Sequence, residues 1–218
     1  MSSFKRTSFT RRFALAALGV AALAPLARPA LAQGAASTLR FVPQADLSAL
    51  DPIWTTAYVV RNHGYMVFDT LYAMDSRFGV RPQMAQGHEV SDDKRVWTIR
   101  LRDGLEFHDG TPVLARDCAA SIKRWAARDG FGQTLMAQTD ELSAVDDRNL
   151  RFRLKAPFPL LIEALGKLSS PIPFIMPERL AATDPTQQIK EAVGSGPFRF
   201  LKDEWIQGSS AAYAKFDR

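Results

Sequence analysis

Cysteine is nearly absent. Cys118 stands alone in 218 residues, which excludes an intramolecular disulfide framework and any C-x-x-C zinc or redox site. Histidine is sparse too. His63, His88 and His108 lack the H-x-x-x-H spacing that puts two ligands on one helical face, so structural roles are expected and no metal. No G-x-G-x-x-G occurs, and no glycine is followed by K-[S/T], which removes the phosphate-cradling loops. Gly194-Ser195-Gly196 is not G-x-S-x-G, because Val193 and Pro197 flank it, and Pro197 has no N–H for an oxyanion. It reads as a turn, not as a nucleophile. There is no internal repeat.

Acid is missing from the first 32 residues, while Lys5, Arg6, Arg11, Arg12 and Arg28 lie there. Those five account for the whole net charge of +5, so the rest of the chain is balanced. A neutral body lacks the basic face that nucleic acid or an anionic membrane surface would require. Hydrophobic residues at 46% and charged residues at 23% are ordinary globular values.

The leader has its own grammar. Residues 1–12 are polar and basic, Ala14 to Ala24 carry no polar side chain, and Ala30-Leu31-Ala32 precede Gln33. That order predicts a secretory signal peptide over residues 1–32, cleaved between Ala32 and Gln33. The apolar run is shorter than the about 20 residues of a membrane-spanning helix. Thr10-Arg11-Arg12-Phe13-Ala14-Leu15 resembles a twin-arginine signal, with the general secretory route equally open. A periplasmic mature chain, 33–218, is expected.

Leu39 to Val42, ended by Pro43, reads as a first strand. From Thr55 the pattern is helical, with Val59, His63, Met66, Val67 and Leu71 on one stripe and Thr55 or Thr56 as cap. Asp75 to Gly79 is a turn. Trp97, Ile99 and Leu101 alternate with charged or polar residues, as do Leu150, Phe152 and Leu154, which predicts two half-buried strands in hairpin-like units. Between them lies a helix over 115–128, with Cys118, Ile122, Trp125 and Ala126 on its apolar face and Asp129-Gly130 as its stop. A short helix over 160–165, a helix opened by Pro177 and a strand over 198–205 follow. Mixed strands and helices predict an α/β or α+β architecture.

The run from Trp97 to Val113, WTIRLRDGLEFHDGTPV, resembles the signature of family 5 extracellular solute-binding proteins, the dipeptide/oligopeptide class of ABC importers. Ala49-Leu50-Asp51-Pro52 with Phe68-Asp69-Thr70-Leu71, and Gly194-Ser195-Gly196-Pro197-Phe198, resemble two further blocks of that family, in the right order. Asp103-Gly104 and Asp109-Gly110 supply turns where φ can be positive. Leu114 stands where the family usually has a threonine cap, which a leucine cannot replace.

The resemblance implies a type II periplasmic-binding-protein fold, here as an incomplete first lobe of two, since such proteins are far longer. It implies capture of a small solute, a peptide first, for an ABC permease in the inner membrane, by a monomer without cofactor and without catalysis. Nickel complexes, haem, sugars and opines are other solutes of resembling proteins. Trp54, Thr55 and Tyr58 fall at a helix start, where ligands meet α/β lobes. They and the loop residues Ser195 and Gly196 are the candidate ligand contacts, with a hydrophobic plug as the alternative for Trp54. A secreted enzyme or a truncated, non-functional remnant are the competing functions.

Overall fold

The computed structural model describes residues 37–169 and 171–217. The expected signal peptide and the Ala32–Gln33 junction lie outside them. The chain divides after Val42 into an N-terminal stretch and a compact unit. In the described part of the stretch, the expected strand over Leu39–Val42 is not formed. Leu39, Phe41 and Val42 are exposed, and no described segment pairs with them; a strand exists only through a hydrogen-bonded neighbour.

The compact unit begins with a loop and α1 (Tyr58–Val67), followed by β1 (Asp69–Thr70), β2 (Tyr72–Met74), β3 (Val80–Pro82), β4 (Ala85–Val90) and β5 (Val96–Leu101). Then come α2 (Ala115–Ala126), α3 (Gly130–Ala137), β6 (Thr139–Ala144), β7 (Asn149–Leu154) and α4 (Leu161–Leu165). β8 (Phe174–Ile175), α5 (Glu178–Ala181), β9 (Phe198–Ile206) and β10 (Ser210–Lys215) complete it. All strand pairs among the described residues are antiparallel.

Period-two alternation builds the largest sheet, of order β4-β5-β7-β6. Ile99 faces Leu150, and Phe152 lies between Trp97 and Leu142. These rows form the inner face, over which α2 lays Cys118, Ile122 and Trp125. The outer face is charged, with Glu141 paired to Arg151 at 2.8 Å and to Arg153 at 3.3 Å. The two predicted strands are therefore found, each in the middle of the sheet. Gly104 and Gly110 take φ of +72° and +82°, as their turns require.

Helix starts depart from expectation. Ala57, with no side-chain cap bond, precedes α1, while Thr55 Oγ1 accepts the Ala57 N–H at 3.3 Å in the loop before it. Leu71 lies beyond the helix, though it is buried. At α2, Leu114 makes no side-chain cap, and Asp117 supplies only the reciprocal half of a capping box, accepting the Leu114 N–H at 2.8 Å. α2 ends at Ala126, short of the expected 128, and Asp129 is instead the cap of α3, accepting the Gly132 N–H at 2.9 Å.

A second core lies around α1, β8, α5 and β9. Val60, Val67, Phe68, Ile172, Phe174 and Met176 are its most buried members. His63 is buried within it, hydrogen-bonded to the Tyr213 hydroxyl at 2.8 Å. Burial pushes its pKa down to about 4, partly opposed by a bond to the Leu50 backbone.

Candidate functional site

A polar stripe on α2 decides where the site forms. Asp117, Ser121 and Arg124 fall at i, i+4 and i+7, on one helical face, and all three are buried. Each grips a distant piece of backbone. Asp117 accepts the Glu178 N–H at 2.7 Å. Ser121 Oγ donates to the Met176 carbonyl at 3.1 Å and accepts the Met176 N–H at 3.0 Å. The Arg124 guanidinium donates to the carbonyls of Thr183 and Gln187 at 3.0 and 2.9 Å.

Arg124 also makes a two-pronged ion pair with Asp51, at 3.1 and 2.7 Å. Asp51 in turn accepts the N–H of Ile53 and of Ile189, at 3.2 and 3.0 Å. A buried pair of charges persists only when every lone pair and proton is used in this way. The Asp51 carbonyl accepts the Trp54 N–H at 3.1 Å, closing a turn. The ion pair thereby fixes the backbone that presents Trp54.

At that turn the surface opens into a hollow of about 460 Å³, lined by Ile53, Trp54, Thr55, Thr56, Ala127, Arg128 and Pro171. Its size suits a small solute. The Arg128 guanidinium lies 5.2 Å from the centre of the Trp54 ring and donates to the Trp54 carbonyl at 3.4 Å. Pro171 is held from below, because its carbonyl accepts the Trp125 indole N–H at 3.0 Å. Tyr58 is at the first position of α1, 63% exposed, with the Arg61 guanidinium 4.4 Å from its ring centre.

The five candidate contacts do not form one cluster. Trp54 and Thr55 line the hollow, and Tyr58 lies beyond its rim. Ser195 and Gly196 are at the opposite end of α1, which at ten residues is about 15 Å long. There the Gly196 N–H donates to the Val67 carbonyl at 2.9 Å, and a Cβ on Gly194 would come within 2.1 Å of that same oxygen. Gly196 is buried, and the Ser195 hydroxyl is shielded from solvent with no hydrogen-bond partner among the described residues. His108 pins this loop, its backbone N–H to the Gly194 carbonyl at 2.8 Å and its Nε2 to the Gly196 carbonyl at 2.9 Å. Tight backbone packing explains the two glycines; no Ser–His pair forms.

Arg124 and Arg128 were missed by sequence reasoning. The polar stripe 117/121/124 on a helix otherwise read by its apolar face was a usable signal for the first. For the second there was none, since a cation at a helix end is commonplace. His88 accompanies Tyr72 and Trp97, its Nδ1 2.9 Å from the Tyr72 hydroxyl, so the three histidines lie on separate elements. Among the described residues no group of three or more His, Cys, Asp or Glu could hold a metal ion. No helix among them is long and apolar enough to cross a membrane.

Comparison with known proteins gives a consistent picture. The profile of the bacterial extracellular solute-binding proteins, family 5 Middle, matches residues 79–218. A probable peptide ABC transporter periplasmic-binding protein of Sinorhizobium fredii is 42% identical over 204 residues, 92% of this chain and 38% of the relative. The chain thus spans well under half the length of that curated relative. Among solved structures, AgaA from A. tumefacien R10 in complex with agropinic acid is 26% identical with a TM-score of 0.64, over 78% of this chain and 34% of that one. OppA of Haemophilus influenzae, in complex with the peptide RPPGFSPFR, is alike in fold, with a TM-score of 0.63 at 20% identity over 78% of this chain and 36% of that one.

Proposed function

Because the chain belongs to the family 5 bacterial extracellular solute-binding proteins and carries part of their type II periplasmic-binding fold, we propose that it is the substrate-binding component of a peptide-type ABC importer. It captures a small solute in the periplasm and delivers it to an inner-membrane permease. The carrying observation is the hollow at Trp54, an aromatic and hydroxyl-lined surface on a turn fixed by the buried Asp51–Arg124 pair. Rigid presentation of few polar groups is what binding without chemistry requires. Trp54 and Thr55 touch the solute in this reading, with Tyr58 at the edge. Ser195 and Gly196 support the wall from the far end of α1 rather than touching solute. The 42% identical relative carries a peptide-transporter name, which supports a peptide as solute.

Export belongs to the same reading: residues 1–32 direct the chain to the periplasm and are removed at Ala32–Gln33, through the twin-arginine or general secretory route. N-terminal sequencing of the periplasmic protein is expected to begin at Gln33. Function is tested by titrating the purified protein with a tripeptide panel, reading tryptophan fluorescence and analysing the peptides by mass spectrometry. Saturable fluorescence change with intact peptide is expected. Peptide cleavage would make it an enzyme, and a flat response across the panel would end the peptide reading.

A further inference from the structure

The hollow holds a cation with no counter-charge among the described residues. Arg128 is exposed, and it has no carboxylate within ion-pairing distance among the described residues. The adjacent acid, Asp129, is already committed: one oxygen caps α3 through Gly132, and the other pairs with Lys167. None of the seven lining residues is acidic. By contrast, the guanidinium of Arg124, four residues earlier on α2, is consumed by Asp51 and two carbonyls.

We infer that Arg128, with Thr55 and Thr56, forms a subsite for a carboxylate of the solute, its free C-terminus when the solute is a peptide. The inference rests on the binding-protein reading and adds the chemistry of one end of the ligand. Geometry favours a carboxylate over a phosphate. A single planar guanidinium matches the two oxygens of one carboxylate in a fork. A dianion would call for further cations, and the lining has no second one. The Trp54 ring holds the guanidinium from one side, which keeps the fork oriented before ligand arrives. Thr55 Oγ1 accepts the Ala57 N–H, so its own proton remains to be donated.

The test uses the full chain and two matched probe pairs, trialanine against trialanine amide and phenylacetate against phenylacetamide, followed by tryptophan fluorescence. The free acids are expected to bind about 10- to 100-fold more tightly than the amides. Arg128→Met costs the acids far more affinity than the amides and so erases the preference, and Arg128→Lys keeps part of it. A purely structural role for Arg128 would weaken acid and amide alike and would overturn the inference. So would equal binding of acid and amide by the unaltered protein, and that result leaves peptide capture standing. If neither trialanine form binds, the peptide reading is the one that falls. The phenylacetate pair then decides the subsite alone: Arg128-dependent binding supports it, and no binding overturns it.

Discussion

The sheet core and the core around α1 are held by different means. In the sheet, β4 pairs with β5 and β6 with β7, neighbours in sequence; β5 then joins β7 across 51 positions at Ile99–Leu150, and the glue throughout is apolar alternation. Around α1 the decisive bonds are polar and distant: Arg124 to Asp51 over 73 positions, Gly196 to His108 over 88, Ile189 to Asp51 over 138, Tyr213 to His63 over 150. The lesson is that the hairpins of the scaffold are written locally and joined by apolar rows, while the site is written across the chain by polar bonds.

The strongest way to break this contrast is Arg124→Met, which leaves the Asp51 carboxylate buried without a counter-charge. A loss of about 3–5 kcal/mol is expected in urea unfolding. Hydrogen exchange should rise over residues 43–56 and 183–189 while β5 and β7 stay protected. Uniform loss of protection would show that the two cores are one.

Next in size is the pH response of His63. Its folded pKa of about 4 lies below the 6.5 of an unfolded histidine. As pH falls, the unfolded chain takes the proton first. The contribution is therefore complete above about 6.5 and declines between 6.5 and 4, by roughly 3 kcal/mol. Asp69, which burial raises to about 6, works in the opposite sense, since its protonation favours the fold. The difference between the unaltered protein and His63→Phe across pH 4–7 isolates the imidazole. Parallel curves would remove His63 from the account.

These experiments bear on what a reader of the sequence could see. Ile99, Leu150 and Phe152 announced their strands because alternation is a property of adjacent residues. Leu39–Val42, a brief apolar run ended by Pro43, also read as a strand and formed none, because a run of residues does not supply a partner. α3 and β6 were passed over, although Asp129 was noted: an acid that reads as a helix stop reads equally well as the cap of the next helix, which is what it is. The hollow was half legible, through Trp54 and Thr55 at a helix start. Arg128 joins it only after α2 has been docked against the Asp51 turn, which no local pattern records.

Smaller effects sharpen the other side. Ile99→Val removes one methyl from the sheet core and should cost about 0.5–1.5 kcal/mol, with exchange rising in the sheet first. Glu141→Gln, on the solvent face, should move the melting midpoint least of all despite two ion pairs. A large shift there would mean that the outer face of the sheet carries more than solubility.

The Asp51 clamp also sets a clock. Its carboxylate gains its last donor, the Ile189 N–H, only when a residue 138 positions later has been made. At about 5–20 residues per second of synthesis, that interval is roughly 7–28 s. Arg124 arrives about halfway through it, so the turn bearing Trp54 is locked in two stages, and the part of the chain that shapes the hollow is made early and completed late.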